Sequence, residues 1–173
     1  MSGCFNRILV PVDFEPASLA AFECAKGLAR SFGARLFLLH AVDDPLATGV
    51  WTPEVYVPAS AAARDALLGD ATKRLTGIVR PEDAQYNPTV EVRAGAAIPV
   101  IEDYAREQGI DLIVMGTHGR RGLAHMLLGS VAERLVRTAP CPVLTVRQEE
   151  RSAAESRCQP EAAHACATCG AGK

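Results

Sequence analysis

The residues best placed to do chemistry are Gly116, Thr117, His118 and Gly119, separated by nine residues from Gly129 and Ser130. They lie between the run Asp111-Leu112-Ile113-Val114-Met115 and a helical stretch from Val131 to Thr138. A strand thus runs into a glycine-rich loop, and a helix follows that begins with a hydroxyl. Glycines let the backbone approach an anion, and a helix N-terminus offers unpaired N–H groups and the positive end of its dipole. The arrangement suits a phosphate, and so a nucleotide. From Gly116 to Arg147 there are five arginines (120, 121, 134, 137 and 147) against Glu133 alone. That segment carries +4 while the whole chain carries −2, which leaves −6 elsewhere. Arg120 and Arg121, inside the loop, are candidates for phosphate contact, whereas Arg134 and Arg137 read as a solvated helix face. His118 and His125 can meet a phosphate or stand as exposed loop histidines.

The elements that must hold this loop follow from hydrophobic periodicity. Strands are expected at Arg7–Val12, Arg35–Val42, Thr89–Ala94, Asp111–Met115 and Pro142–Val146. A helix is expected over Ala17–Phe32, with Ala21, Ala25, Leu28 and Phe32 on one face, Pro16 in its first turn and Gly33 closing it. Further helices are expected from Ser60 to about Val79, from Pro99 to Gln108 and from Ser130. Asp43–Ala59 reads as a long loop and Pro81–Pro88 as a turn region. This alternation calls for an α/β fold, a doubly wound parallel sheet with helices on both faces. The first and fourth strands are continuous apolar runs, as strands buried on both faces should be. The third alternates Val90, Glu91, Val92, Arg93, the pattern of an edge. The first and fourth then sit side by side at the centre, where connections diverge and ligands bind beyond the carboxyl ends of the strands. The loops meeting there start at Pro11-Val12-Asp13 and at Met115-Gly116. Asp13, just past a strand end, can accept hydrogen bonds from ribose hydroxyls or simply mark a helix entry. Ser130 can cap its helix, meet a phosphate oxygen, or do both.

The 173 residues suffice for one domain with a sizeable core. The small net charge gives no reason to expect a nucleic-acid partner. No apolar run approaches the ~18 residues of a membrane span, and Met1–Arg7 lacks the layout of a signal peptide. A cytoplasmic protein with reduced thiols is expected. Cys24 reads as a core thiol of the first helix, and Cys141 as packed at the start of the fifth strand.

Taken together, the chain resembles the universal stress protein family over roughly residues 5 to 147. The resemblance is carried by Ile8-Leu9-Val10-Pro11-Val12-Asp13-Phe14, by Leu39-His40-Ala41-Val42, by the glycines 116, 119 and 129 with Ser130, and by Ala139-Pro140-Cys141-Pro142-Val143-Leu144-Thr145-Val146. It implies a Rossmann-like five-stranded sheet of order 3-2-1-4-5 over residues 1–147, and a homodimer pairing through the fifth strand. The intact glycine motif implies an ATP-binding member, with Mg2+ carried by the nucleotide. By that resemblance Pro11 and Asp13, with Val12 between them, border ribose and adenine, and the Val42 backbone reads the adenine edge. Met115, Gly116, Thr117, His118, Gly119, Arg120, Gly129, Ser130 and Val131 then surround the phosphates. One departure is Glu15, where many relatives carry a small hydroxyl residue. Its carboxylate can repel phosphates or help hold a metal.

No catalytic set accompanies the motif. ATP hydrolysis needs a group that orients water and a charge at the leaving oxygen, and nothing in the spacing of His118, Arg120 and Glu15 demands that role. A nucleotide-dependent regulator of the stress response is therefore expected, with at most slow hydrolysis or autophosphorylation. The alternative is a nucleotide-independent dimeric interaction module. Trp51, central in the long loop, can fold over the nucleotide or pack on the second helix or a dimer mate. Residues 148–173 lack apolar periodicity and read as a disordered tail. There Cys158, His164, Cys166 and Cys169 could supply four ligands to Zn2+, act as a dithiol switch, or be spectators.

Overall fold

The computed structural model describes residues 5–43, 50–51, 56–57, 61–117 and 129–147. The apolar runs form the strands expected of them: β1 (Arg7–Pro11), β2 (Arg35–Val42), β5 (Thr89–Ala94), β6 (Leu112–Gly116) and β7 (Val143–Val146). They make one parallel sheet in the order β5-β2-β1-β6-β7, which is 3-2-1-4-5 among its five strands. The alternating strand is indeed an edge, and the two continuous apolar strands are central neighbours.

Among the described residues four α-helices connect the strands: α1 (Pro16–Phe32), α2 (Ala61–Gly77), α3 (Ala97–Glu107) and α4 (Ser130–Thr138). Because strand side chains alternate between faces, the sheet feeds two cores. Ile8, Val10, Leu36, Leu38, Leu112 and Val114 pack with Ala21, Phe22, Ala25 and Ala29 of α1 and Leu75 of α2. On the other face, Leu9, Phe37, Leu39, Ile113 and Met115 pack with Ile101, Tyr104 and Ala105 of α3 and Ala132 and Leu135 of α4. Cys24 and Cys141 pack at the edges of these cores, one on each face, as anticipated. Burial, and then the negative charge of Asp111, push the Cys141 thiol above its ordinary pKa, which disfavours the reactive thiolate. Gly33 closes α1 in the left-handed conformation with φ 68°.

Three local readings are corrected. Asp43–Ala59 is not uninterrupted loop, because β3 (Val50–Trp51) and β4 (Tyr56–Val57) form a short antiparallel ladder. The β-branched and aromatic character of those four residues favours such pairing. The third helix begins at Ala97, two residues before Pro99, since proline is tolerated within a first helical turn. Pro81–Tyr86 is a 3-10 helix.

That 3-10 helix is tied down by a charge. Asp83, 1% exposed, accepts the Arg80 backbone N–H at 2.9 Å and pairs with Lys26 of α1 at 3.2 Å. Burial works to lower the Lys26 pKa, but hydrogen bonds to Glu23 and Asp83 outweigh it and hold the ammonium above its ordinary value. Tyr104, fully buried, is pushed up to about 12 by burial and by the nearby Glu91 carboxylate, with the Arg93 charge acting against them. Replacing Asp83 leaves Lys26 without its buried counter-ion and the 3-10 helix without its cap. Asp83→Ala is expected to cost about 3 kcal/mol, near the low end for a broken buried pair, because Lys26 keeps Glu23 at 2.8 Å. Urea unfolding measures it, and a midpoint equal to that of the parent chain would contradict it.

Candidate functional site

The carboxyl ends of β1 and β6 lie side by side, and of the sequence-predicted residues Pro11, Val12, Asp13, Met115, Gly116 and Thr117 lie at or just past them. Past β1 the chain makes a tightly braced turn. The Val12 N–H continues the ladder to the Leu39 carbonyl at 2.8 Å. The Asp13 N–H reaches the Ser18 hydroxyl at 3.3 Å, and that hydroxyl donates to the Glu15 carbonyl at 3.0 Å. Asp13 Oδ1 accepts the Glu15 N–H at 3.0 Å, which fixes the carboxylate. Among the described residues its other oxygen takes no hydrogen bond, so it remains available as an acceptor. Glu15 itself is the N-cap residue of α1 and makes no side-chain cap bond.

Gly116 ends β6 beneath the first turn of α1. A Cβ there would stand 2.7 Å from the Ala17 carbonyl carbon and 2.9 Å from its Cβ. Glycine at 116 is therefore demanded by helix packing, a reason the loop reading did not include. Next to it, the buried Thr117 donates its N–H to the Val146 carbonyl at 3.0 Å and accepts the Gly129 N–H on its own carbonyl. The two ends of the glycine loop are thus pinned together at the end of the central strands. His118, Gly119, Arg120, Arg121 and His125 lie outside the described residues, as do Cys158, His164, Cys166 and Cys169 of the tail.

Gly129, not Ser130, is the N-cap of α4, and it supplies no side-chain cap; Ser130 is the first helical residue and is exposed. The expectation of Ser130 as the cap is corrected by one position. The consequence favours an anion, because no side chain of the cap residue takes up the first N–H groups of α4, among them those of Ser130 and Val131. On the β2 side, the Val42 carbonyl accepts the Gly95 N–H at 2.8 Å. One lone pair is thus occupied while the other can take an exocyclic amine. Met115 is buried beneath the site and Pro11 is partly exposed at its rim.

Three residues here were not singled out from sequence. Ser18 bridges the turn. His40, 7% exposed, has its Nδ1 2.6 Å from the Val12 carbonyl, so that nitrogen carries the proton and donates. Phe14 lies against the His40 ring, with centroids 4.5 Å apart. The one visible signal was His40 itself, a polar residue within the apolar run Leu36–Val42. Among the described residues no group of three His, Cys, Asp or Glu side chains could hold a metal ion, and no helix is long and apolar enough to cross a membrane.

The residues present fit an adenine nucleotide. A fixed carboxylate past β1, a backbone carbonyl at the end of β2, and a helix N-terminus without a side-chain cap beside a pinned glycine loop offer separate partners to ribose, base and phosphate. The universal stress protein family model matches residues 5–147. Universal stress protein A homolog 2 of Coxiella burnetii is 34% identical over 144 residues, covering 83% of this chain and 95% of that protein. Among solved structures, the universal stress protein UspA from Lactobacillus plantarum superposes with a TM-score of 0.64 at 32% identity, covering 83% of this chain and 98% of that one. A universal stress protein solved in complex with cAMP does so with a TM-score of 0.57 at 24% identity, covering 82% and 97%.

The contact between Gly116 and Ala17 yields a test free of any ligand. Gly116→Ala is expected to destabilise the nucleotide-free protein by about 1–3 kcal/mol, as overpacking does, because the Ala17 backbone cannot yield locally. Chemical denaturation without added nucleotide measures this, and unchanged stability would refute the steric account.

Proposed function

The chain belongs to the universal stress protein family, and from that premise we propose that it is an ATP-binding, nucleotide-dependent regulator of a stress response, with at most slow hydrolysis or autophosphorylation. The observation that carries the reading is the convergence of the fixed Asp13 carboxylate with the Thr117–Gly129 pin at the start of α4. The solved relative in complex with cAMP shares this fold; its ligand is that protein's own, and an adenine nucleotide is the ligand class that the partners here suit.

In this reading Asp13, within the turn from Pro11, holds the ribose hydroxyls. The Val42 backbone meets the adenine edge, and the N–H groups at the start of α4 face the phosphates, with Gly119 and Arg120 in the loop between. Mg2+ accompanies ATP and offsets phosphate charge.

Purified protein, denatured without added nucleotide, is expected to release an adenine nucleotide identifiable by chromatography and mass. In titration calorimetry, Asp13→Ala should weaken Mg-ATP about tenfold or more, the loss of hydrogen bonds to a charged acceptor. A parent protein that is empty and does not bind Mg-ATP would end the nucleotide reading.

The homodimer through β7 is proposed with it. β7 is an edge strand, and at that end of the sheet Leu144 is 39% and Val136 of α4 52% exposed. Exposed apolar side chains at an open strand edge favour pairing with a second copy. Leu144→Lys is expected to shift the protein from dimer to monomer in sedimentation velocity while leaving its far-UV spectrum unchanged. A wild-type monomer would refute the dimer.

A further inference from the structure

The turn that carries Asp13 contains a conformational anomaly. Phe14 has φ +67°, in the left-handed region that an aromatic side chain rarely adopts. Such a conformation persists only where the surroundings over-determine it. Here they do so from two sides. One face of the Phe14 environment is the His40 ring at 4.5 Å, and His40 in turn grips the Val12 carbonyl. Over the Phe14 ring lies the Arg74 guanidinium of α2, 4.1 Å from the centroid. Arg74 is itself exposed, but its helix is anchored on either side of it by the buried Ala71 and Leu75. A planar guanidinium over an aromatic face is attracted by the ring quadrupole.

We propose that Arg74 and Phe14 are positioning residues for the nucleotide: with His40 they hold the Val12–Glu15 turn in the conformation that the ligand meets. The proposal rests on the nucleotide reading above. Each link has a physical reason. The Arg74 contact presses Phe14 into its strained conformation. Phe14 covers His40, which keeps the Nδ1–H to Val12 carbonyl bond away from water. The turn then has its carbonyl fixed at Val12 and its carboxylate fixed at Asp13 by the Glu15 N–H. Removing the guanidinium frees Phe14 to relax, and the turn with it. The rival account of Arg74 is a simple one, a surface cation that attracts phosphate.

Two measurements on the full chain separate these accounts. Amide exchange of Asp13 and Glu15, followed by NMR without nucleotide, is compared between the parent protein and Arg74→Ala. Calorimetric affinities for adenosine and for Mg-ATP are compared in the same pair and in Arg74→Lys. Exchange at Glu15 is expected to quicken about three- to fivefold in Arg74→Ala, the size of an exposed cation–π contact, while β1 and β2 amides and the urea midpoint stay unchanged. Adenosine and Mg-ATP should weaken by that same factor, and Arg74→Lys, which keeps charge without the planar group, should fall between. Unchanged exchange at Glu15 overturns the proposal. Loss of Mg-ATP affinity with adenosine untouched also overturns it, in favour of phosphate attraction. A parent protein that binds neither ligand overturns the nucleotide reading and the ligand half of this proposal, while the exchange rates still decide whether the stack holds the turn.

Discussion

The backbone of Ala17 lies so close to Gly116 that no side chain fits between them, and much of the site depends on this approach. α1 can pack over β6 as well as β1 only because the end of β6 is bare. That packing brings the loop after β1 and the loop after β6 to the same edge of the sheet. Had β6 ended in a residue with a Cβ, the first turn of α1 would be pushed outward. The turn that precedes it, with Asp13 and its bond to Glu15, would move as well. The contact therefore acts on both halves of the site without touching a ligand. Glycine at this position serves the fold first, and the ligand through the fold.

Around that contact the site is made largely of backbone. The Val12 carbonyl is fixed by His40, the Val42 carbonyl by Gly95, and the Thr117 and Gly129 peptides by each other and by Val146. Such groups are held by the sheet and helices themselves, so they are in place before any ligand arrives, and little ordering entropy is lost on binding. The electrostatics point the same way. Among the described residues neither Gly129 at the start of α4 nor Glu15 at the start of α1 makes a side-chain cap bond, so both helices bring a positive dipole end toward this edge of the sheet.

This division explains what could be read from the sequence. The central and edge strands were legible because burial on two faces or one leaves a plain mark on a strand, Ile8-Leu9-Val10 against the alternating Val90-Glu91-Val92-Arg93, while the full order came from the family resemblance. The glycine loop was legible because its anchors fall at a strand end and a helix start. Other features were not, since they arise between segments remote in sequence. The steric reason for Gly116 lies in Ala17, and the partner of Asp83 in Lys26. The positive φ of Phe14 makes sense only with His40 and Arg74 around it. Ser130 was read as a cap because hydroxyl residues favour that position, yet the geometry ends the loop one residue earlier. The β3–β4 ladder was hidden by turn-like residues around two short apolar pairs.

A site of this kind is also limited in the chemistry it can perform. Backbone N–H and C=O groups at neutral pH neither take nor give protons, so they bind and orient without acid–base catalysis. The Asp13 carboxylate, past the end of β1, is already committed through Oδ1 to the Glu15 N–H. Catalysis of phosphoryl transfer would need a cation and a water-orienting group at the far end of the nucleotide. His118, Arg120 and Arg121 fall in the sequence between Thr117 and Gly129, whose backbones are joined. The fixed part of the site therefore supplies groups that bind and orient, and chemistry at a terminal phosphate would need residues beyond it.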